Sequence, residues 1–398
     1  MSERWTMETT EIKPGVYWVG AIDWDVRNFH GYLTQRGTTY NAYLIIDEKV
    51  VLVDTVKAHL ADEMLARIRA IIDPAKIDYI VSNHVEMDHS GSISAVLEHA
   101  PSAKVITSTM GAKGLKRHYK ADWDLQVVKS GDTLSIGKRT LAFVHVPMVH
   151  WPDSMVTYIH EDRLLLPNDG FGQHIASSER FDDELDWGIL REEAAKYYAN
   201  IILPFGANVQ KAMESLGGLD IDMIAPSHGI IWRSHIPDIL AEYQKWSTYA
   251  TETCAVIVYD SMWGSTQKMA HALGDGLRET GVHVHHHNLK HTHISDVMTD
   301  VLTARLVCIG SPTLNNGILP TVGAFLTYVK GLRPEKRFGF AFGSYGWGGQ
   351  AVKEIETVMD GLKWERPEDG VRITYIPDED ELDAVRETGR ALGKQIRD

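Results

Sequence analysis

The chain is poor in cysteine, with only Cys254 and Cys308 among its 398 residues. Two thiols are too few for a disulfide framework or for an iron centre or cluster that takes four cysteines from one chain. Each cysteine lies in a strand-like apolar run, so we expect buried free thiols in a reducing compartment. If the protein transfers electrons, we expect them to come from outside the chain.

The sequence also has few basic residues and no long apolar run. Acidic residues exceed basic ones by 14, at 54 against 40, which opposes nonspecific binding to nucleic acid or to an anionic membrane. No apolar run approaches the roughly 20 residues of a membrane span, and the N-terminal residues lack the basic start and apolar core of a signal peptide. We therefore expect a cytoplasmic protein that binds neither nucleic acid nor membrane.

The pattern of strands and helices predicts two α/β domains, residues 1–250 and residues 251–398. Short β runs and helical stretches alternate in the first part, which favours a layered α/β domain. After the polar stretch 247–253 the pattern restarts, and apolar strands near Cys254, Val282, Arg305, Phe338 and Val371 alternate with helices. This alternation is typical of a small doubly wound parallel sheet.

One short segment concentrates side chains that bind metals. His84, Glu86, Asp88 and His89 lie within six positions, directly after the predicted buried strand 77–81. In an extended segment residues 84, 86 and 88 share a face, and a bend toward Gly91 brings His89 to the same place. A polar loop is the alternative, but four ligand-type residues at this spacing favour a metal site.

Three later residues can complete such a site. His150, Asp169 and His228 each follow the C-terminal end of a predicted buried strand and have a proline or glycine nearby. A single residue of this kind is more often a cap or turn residue. Together they complete a set of four histidines and three carboxylates, which suffices for two metal ions if one carboxylate bridges them.

The metal motif resembles that of the metallo-β-lactamase fold, and essentially the whole chain resembles the flavodiiron proteins. Hydrolases of that fold carry His-x-His-x-Asp-His, whereas Glu86 replaces the second histidine here. A carboxylate favours iron over zinc and reduces the Lewis acidity that hydrolysis needs. The resemblance implies an N-terminal metallo-β-lactamase-like αββα domain and a C-terminal flavodoxin-like doubly wound parallel sheet.

The resemblance also implies roles for individual residues. His84, Glu86 and His150 would hold one iron ion, nearer the flavin, and the other would take Asp88, His89 and His228, with Asp169 bridging the two. Some members of the family leave the histidine that matches His89 uncoordinated. His30 and Tyr198 lie in segments that resemble the family's substrate pocket, although a core histidine and a core tyrosine are equally consistent with the sequence.

Three loops of the second domain predict a flavin site. The first, residues 261–266, opens a helix and resembles the flavodoxin phosphate loop, with Trp263 where flavodoxins usually have threonine. The other two are the glycine-rich loops 310–317 and 342–349, and no Gly-x-Gly-x-x-Gly motif follows the first strand to favour a dinucleotide. We expect FMN, bound by Ser261, Met262, Trp263, Gly264, Ser265, Thr266, Pro312, Thr313, Leu314, Asn315, Asn316, Gly317, Ser344, Tyr345, Gly346, Trp347 and Gly348.

The expected activity is reduction of dioxygen to water, of nitric oxide to nitrous oxide, or of both. Electrons would pass through FMN from an external donor, which is either rubredoxin or a reduced deazaflavin coenzyme. The resemblance implies a head-to-tail homodimer or a dimer of dimers, with Trp347 near the junction of flavin and iron. The alternatives are a metal-dependent hydrolase with a fused flavodoxin module, against which Glu86 argues, and a non-enzymatic flavin electron shuttle or redox sensor.

A histidine-rich run, residues 283–293, is not accounted for by these sites. Alternate positions of a strand point to opposite faces, so a metal site here would be adventitious. A solvated edge strand is the favoured interpretation.

Overall fold

The computed structural model describes residues 9–397, which fold into two compact units. One contains residues 9–197 and 207–244, and the other contains residues 198–206 and 245–397. Relative to the predicted domain ranges, the second unit thus also includes 198–206 and 245–250. Among the described residues, no helix combines the length and apolarity needed to cross a membrane.

The first unit is built on short strands. In chain order they are β1 (Thr10–Lys13), β2 (Val16–Trp18), β3 (Ala21–Asp23), β4 (Asn28–Phe29), β5 (Tyr32–Leu33), β6 (Thr38–Tyr40), β7 (Tyr43–Ile46), β8 (Val50–Val53), β9 (Ile77–Val81), β10 (Lys104–Ser108), β11 (Leu125–Val128), β12 (Thr133–Ser135), β13 (Thr140–His145), β14 (Met155–Ile159), β15 (Leu164–Leu166) and β16 (Met223–Ile224).

Helices connect and cover these strands. Those that precede residue 248 are α1 (Ala61–Ile71), α2 (Met87–Ser90), α3 (Ile93–His99), α4 (Thr109–Tyr119), α5 (Trp187–Tyr197), α6 (Gly206–Leu216) and α7 (Ile236–Ser247). A π-helical turn, Tyr198–Ile202, and a 3-10 turn, Leu203–Phe205, join α5 to α6.

Two sheets pack face to face in the first unit. Their strand orders are β1-β2-β7-β8-β9-β10-β11 and β12-β13-β14-β15-β16. Val53 and Ile106 of the first sheet share one core with Phe143 and Leu166 of the second. The other face of the first sheet packs against helices, so a strand such as β8, made of Val and Leu, is buried on both sides. The predicted layered fold is confirmed.

The second unit contains one parallel sheet. Its strands lie in the order β18-β17-β19-β20-β21, so β18 is an edge strand as predicted. On one face of this sheet, the helix residues Leu273 and Leu392 pack against the strand residues Ile257 and Phe340. The elements are β17 (Glu252–Tyr259), α8 (Ser265–Glu279), β18 (His283–Asn288), α9 (Ile294–Val301), β19 (Ala304–Gly310), α10 (Pro320–Leu332), β20 (Phe338–Tyr345), α11 (Gln350–Gly361), β21 (Val371–Thr374) and α12 (Glu379–Gln395).

Candidate functional site

The predicted metal ligands all lie in the connecting segments that follow strands of the first unit. Strands β13 and β15 both run antiparallel to β14, and β15 pairs parallel with β16, so the loops after β13, β15 and β16 leave one end of their sheet. A backbone hydrogen bond from Met155 N to Asn83 O ties this sheet to the loop after β9. The four loops carry His84, Glu86, Asp88, His89, His150, Asp169 and His228.

The local geometry of the motif differs from the prediction. The extended segment ends at Glu86, because Met87–Ser90 form the helical turn α2. Successive residues of a helix point about 100° apart rather than to opposite faces. The prediction that residues 84, 86 and 88 share one face is therefore wrong, and Asp88 and His89 belong to a different group from His84 and Glu86.

The first group brings together donor atoms of His84, Glu86, His150 and Asp169. His150 Nε2 lies 3.3 Å from both Glu86 Oε2 and Asp169 Oδ2. His84 Nε2 lies 3.4 Å from Glu86 Oε2 and 3.6 Å from Asp169 Oδ2. The side chains of Glu86 and His150 are about one-seventh exposed, at 14% and 15%, whereas those of His84 and Asp169 are buried.

The second group contains Asp88, His89 and His228. His228 Nε2 lies 3.2 Å from Asp88 Oδ2, and His89 Nε2 lies 3.4 Å from the same oxygen. Asp169 Oδ1 faces this group as well, at 3.1 Å from His89 Nε2 and 3.4 Å from His228 Nε2. The two oxygens of Asp169 therefore face different groups, as a bridging carboxylate requires.

Bound metal ions explain the arrangement of these donor atoms better than hydrogen bonds among the residues themselves. Asp88 Oδ1, Asp169 Oδ2 and His89 Nε2 are buried and make no hydrogen bond. Atoms of other cluster residues nevertheless lie 3.1 to 3.6 Å from Asp169 Oδ2 and His89 Nε2. Buried polar atoms that lack a hydrogen bond are costly, and convergence of several in one place indicates a missing ligand. Imidazole and carboxylate donors suit iron, and the seven residues suffice for two ions.

Without metal, the cluster would hold protons instead. Burial disfavours charge on His228, but Asp169 and Asp88 outweigh that effect and raise the pKa of His228 to about 10. Burial also disfavours charge on His150, but Asp169 and Glu86 outweigh that effect and raise the pKa of His150 to about 9. Metal binding replaces such protons, because a ligating imidazole must be neutral at its donor nitrogen.

Residues behind the cluster orient the histidines. Asp153 Oδ2 lies 3.0 Å from His84 Nδ1 and also accepts a 2.8 Å hydrogen bond from Val85 N. Thr39 O lies 2.8 Å from His228 Nδ1. Partners of this kind fix the ring so that Nε2 points to the metal. Asp153 was not predicted from the sequence, although its position three residues after His150, next to a proline, was a usable signal.

A cavity of about 560 Å³ opens onto Glu86 and Asp88. His30 is among its lining residues, and His30 Nε2 lies 3.0 Å from Glu86 Oε1. Lys57, His59 and His118 also line the cavity, so further side chains that can donate hydrogen bonds face the same space as Glu86. The structure thus places His30 beside Glu86 at the wall of this cavity.

Tyr198, the second residue expected in the substrate pocket, is not among the residues that line this cavity. Tyr198 belongs to the second unit, where it is fully buried and its ring centroid lies 5.3 Å from that of Trp246. Its neighbour Tyr197 ends α5 in the first unit and donates a 2.9 Å hydrogen bond to Asp169 Oδ1. Sequence reasoning missed Tyr197 because adjacent tyrosines give no sign of which one faces the centre.

The second unit holds a cavity of about 570 Å³ formed by the predicted flavin loops. Tyr375 also lines it and was missed, because it follows β21, which none of the predicted loops includes. Of the predicted residues, Ser261, Gly264, Thr266 and Gly317 do not line the cavity. Those that do are Met262, Trp263, Ser265, Pro312, Thr313, Leu314, Asn315, Asn316, Ser344, Tyr345, Gly346, Trp347 and Gly348.

The cavity has the features that bind a flavin phosphate and ring. Ser265 is the first residue of α8, whose N-cap Gly264 has φ 89°, a conformation that favours glycine. Free N–H groups at such a helix start bind anions. Thr266 Oγ1 lies 3.0 Å from Ser344 Oγ, which ties the first loop to the third. Trp263 and Trp347, each more than 90% exposed, and Tyr345 provide aromatic surface for a planar ring.

Comparisons with known proteins give matches to both halves of the chain. A family model described as ODP family beta lactamase matches residues 38–229, and a flavodoxin model matches residues 257–389. A nitric oxide reductase of Moorella thermoacetica is 48% identical over 97% of this chain and 98% of its own length. A rubredoxin-oxygen oxidoreductase of Megalodesulfovibrio gigas is 42% identical over 98% and 99%.

Solved structures also match nearly the whole chain. The rubredoxin oxygen:oxidoreductase of Desulfovibrio gigas superposes with a TM-score of 0.96 at 41% identity, over 98% of this chain and 99% of its own. The flavodiiron protein of Giardia intestinalis gives a TM-score of 0.96 at 39% identity, over 98% and 97%. The match extends through both units and is not limited to one domain.

Proposed function

The chain belongs to the flavodiiron proteins, and we propose from this membership and from the cluster around Asp169 how it works. It is an oxidoreductase that reduces dioxygen, nitric oxide or both, with flavin-borne electrons. The observation that carries this function is the pair of ligand groups that face the two oxygens of Asp169. The predicted family, fold and reaction class are confirmed.

We assign His84, Glu86 and His150 to one iron ion, Asp88, His89 and His228 to the other, and Asp169 to both. When bound, the iron pair supplies a place for the diatomic substrate and electrons for its reduction. Asp153 and Thr39 O orient the ligand histidines by their Nδ1 atoms, so the chain holds the donor nitrogens in place before the ions bind.

Protons must accompany the electrons. Dioxygen takes up four electrons and four protons to give two waters, and two molecules of nitric oxide take up two of each to give nitrous oxide and water. His30 lies at the cavity beside Glu86 and donates a hydrogen bond toward it, so we assign His30 to substrate binding and proton delivery. Tyr197 rather than Tyr198 is the tyrosine that supports the centre.

FMN is the cofactor that fits the cavity of the second unit. The phosphate would bind the N–H groups and hydroxyl at the start of α8, and the ring would lie between the loops after β19 and β20. Tyr375 extends the aromatic wall beyond the predicted residues. Residues 1–250 would then serve as the diiron domain and residues 251–398 as the FMN domain.

We propose rubredoxin or a reduced deazaflavin coenzyme as the donor and a head-to-tail homodimer, or a dimer of dimers, as the active form. The exposed side chain of Trp347 beside the flavin cavity supports a role near the junction with the partner subunit's iron. We also propose a cytoplasmic location, which the buried free thiols Cys254 and Cys308 favour.

The decisive experiment measures iron and FMN per chain and then gas consumption. Two iron ions and one FMN are expected, with anaerobic nitric oxide consumption and separate dioxygen consumption measured with each candidate donor. Asp169→Asn should abolish both activities. Purified protein that contains zinc and cleaves thioesters would reject this function, as would flavin reduction without gas consumption. Activity per chain that stays constant on dilution to monomer would reject the head-to-tail dimer.

A further inference from the structure

The histidine-rich strand β18 carries a second, separate cluster of possible metal ligands. Strand residues alternate between faces, and His285 and His287 lie on the same face, with nearly parallel rings, 6° apart and 6.4 Å between centroids. Asp300, on α9, faces them: its Oδ2 lies 3.2 Å from His285 Nδ1 and 2.7 Å from His287 Nε2. One carboxylate oxygen therefore lies between two imidazole nitrogens.

The cluster has the chemistry and exposure of a zinc site rather than of a calcium or magnesium site. Two imidazoles and one carboxylate are donors that Zn²⁺ takes at about 2.0 to 2.2 Å. Tetrahedral donors at that distance are roughly 3.4 Å apart. Asp300 Oδ2 lies 3.2 Å from His285 Nδ1 and 2.7 Å from His287 Nε2, so the second distance must lengthen when an ion binds. The side chains remain partly exposed, at 34%, 14% and 28% for His285, His287 and Asp300, which leaves room for water as a fourth ligand.

The surroundings add two further donors. Cys254 is a buried free thiol and lies opposite His283 in the register of β17 and β18. Asp300 and then Cys254 raise the pKa of His285 to about 10. The His283 ring centroid lies 4.6 Å from that of His285, on the same face of the strand. A soft donor and a third imidazole thus lie beside the three residues, whereas calcium and magnesium sites are built from oxygen.

We propose that His285, His287 and Asp300 bind one divalent transition-metal ion, such as Zn²⁺, at a site separate from the diiron centre. Alternation along β18 separates His286 from His283, His285 and His287, which share the other face. His286 Nε2 lies 3.1 Å from Arg278 on α8, on the opposite face of the strand from His285. This residue provides a matched control, since it is a histidine of the same strand that cannot reach Asp300.

The test uses the protein loaded with iron and FMN and equilibrated with Zn²⁺ at buffered free concentrations. Zinc and iron per chain are measured by elemental analysis, and X-ray absorption at the zinc edge reports the ligands. We expect one zinc per chain with no loss of iron, and His286→Gln should bind it equally. Asp300→Asn should weaken binding by about a hundredfold or more, since loss of a ligand exceeds the ten- to hundredfold cost of losing a ligand's support.

His285→Gln and His287→Gln are second variants if Asp300→Asn does not fold. Zinc uptake that is the same in wild type and in these variants would overturn the proposal. Zinc bound only in exchange for iron, or zinc lost equally in His286→Gln, would also overturn it. Because the readout is a third metal in iron-loaded protein, failure here leaves the diiron assignment untouched.

Discussion

Tyr197 Oη donates a 2.9 Å hydrogen bond to Asp169 Oδ1, the oxygen that also faces His89 and His228. Both side chains are buried, so water does not compete for this bond. The bond holds the carboxylate in the orientation in which its other oxygen, Oδ2, faces His84 and His150. One tyrosine therefore fixes the residue that the two ligand groups share.

Tyr197→Phe should loosen the metal centre without removing a ligand. A hydrogen bond to a buried charged group is worth about 1.5–3 kcal/mol, and loss of such support typically costs ten- to a hundredfold in metal affinity. Iron release to a competing chelator measures this. Tyr198→Phe is the matched control, and iron release that is faster in the control than in Tyr197→Phe would contradict the assignment of Tyr197.

Asp153→Asn should weaken the first ligand group selectively. The amide keeps the size of the carboxylate but removes the negative charge that faces His84 Nδ1. We expect iron retention to fall by about ten- to a hundredfold with a modest change in Tm. Asp182→Asn is the control, because Asp182 accepts hydrogen bonds from Arg233 N, Ser234 N and His235 N. Asp182→Asn should lower the Tm and leave iron retention unchanged. Iron retention that falls in Asp182→Asn but not in Asp153→Asn would contradict the role of Asp153.

The clustering of the seven ligand residues was predictable because each follows a buried strand, and the fold brings the segments after those strands together. The local shape of the motif was not, because a four-residue helix such as Met87–Ser90 has too few residues to show a period. Tyr197 and Tyr198 illustrate the same limit: a shift of one helical position turns a side chain by about 100°. At this point the helix also changes to a π-helical turn, which begins at Tyr198.

Pairing of distant strands was the other source of missed residues. Tyr375 lines the cavity of the second unit because β21 pairs parallel with β20, and Tyr375 N donates a 2.7 Å hydrogen bond to Tyr345 O. The loop after β21 has no glycine-rich signature, so nothing in the sequence near Tyr375 marks it. Similarly, Asp300 becomes a neighbour of His285 only once α9 packs against the sheet.

Ser265→Ala should weaken FMN but not riboflavin. The Ser265 hydroxyl lies at the start of α8 and lines the cavity, where it can donate to the phosphate. A hydrogen bond to a charged group is worth about 1.5–3 kcal/mol, so FMN affinity should fall by about ten- to a hundredfold. Flavin fluorescence quenching measures both affinities. Thr299→Ala, in a helix turn of α9, should change neither, and an equal loss of riboflavin would show that Ser265 does not bind the phosphate.

His286 should make the second unit less stable in acid. Burial, and then the charges of Arg278 and His271, lower the pKa of His286 to about 4. Its pKa in the unfolded chain is about 6.5, so between these values the unfolded state binds more protons. Stability contributed by neutral His286 is present above about pH 6.5 and is lost as the pH falls toward 4.

The measurement is the Tm at pH 7 and at pH 5.5 for wild type, His286→Gln and the exposed-site variant His291→Gln. The fall in Tm should be smaller in His286→Gln than in wild type, because glutamine does not titrate. His291→Gln should follow wild type. An identical fall in all three proteins would show that His286 does not couple folding to pH.

Glu86→His should change both the metal and the reaction. The substitution restores the His-x-His-x-Asp-His pattern of the hydrolases, and it replaces the carboxylate that faces His84 and His150 with a neutral imidazole. Because imidazole suits zinc and a carboxylate favours iron, we expect the zinc to iron ratio to rise at least about tenfold and gas reduction to be abolished. The variant also loses the contact with His30. Metal content and gas consumption are measured together with Glu98→His, at an exposed position of α3, as the control. Full activity with iron in Glu86→His would show that this carboxylate does not set the reaction class.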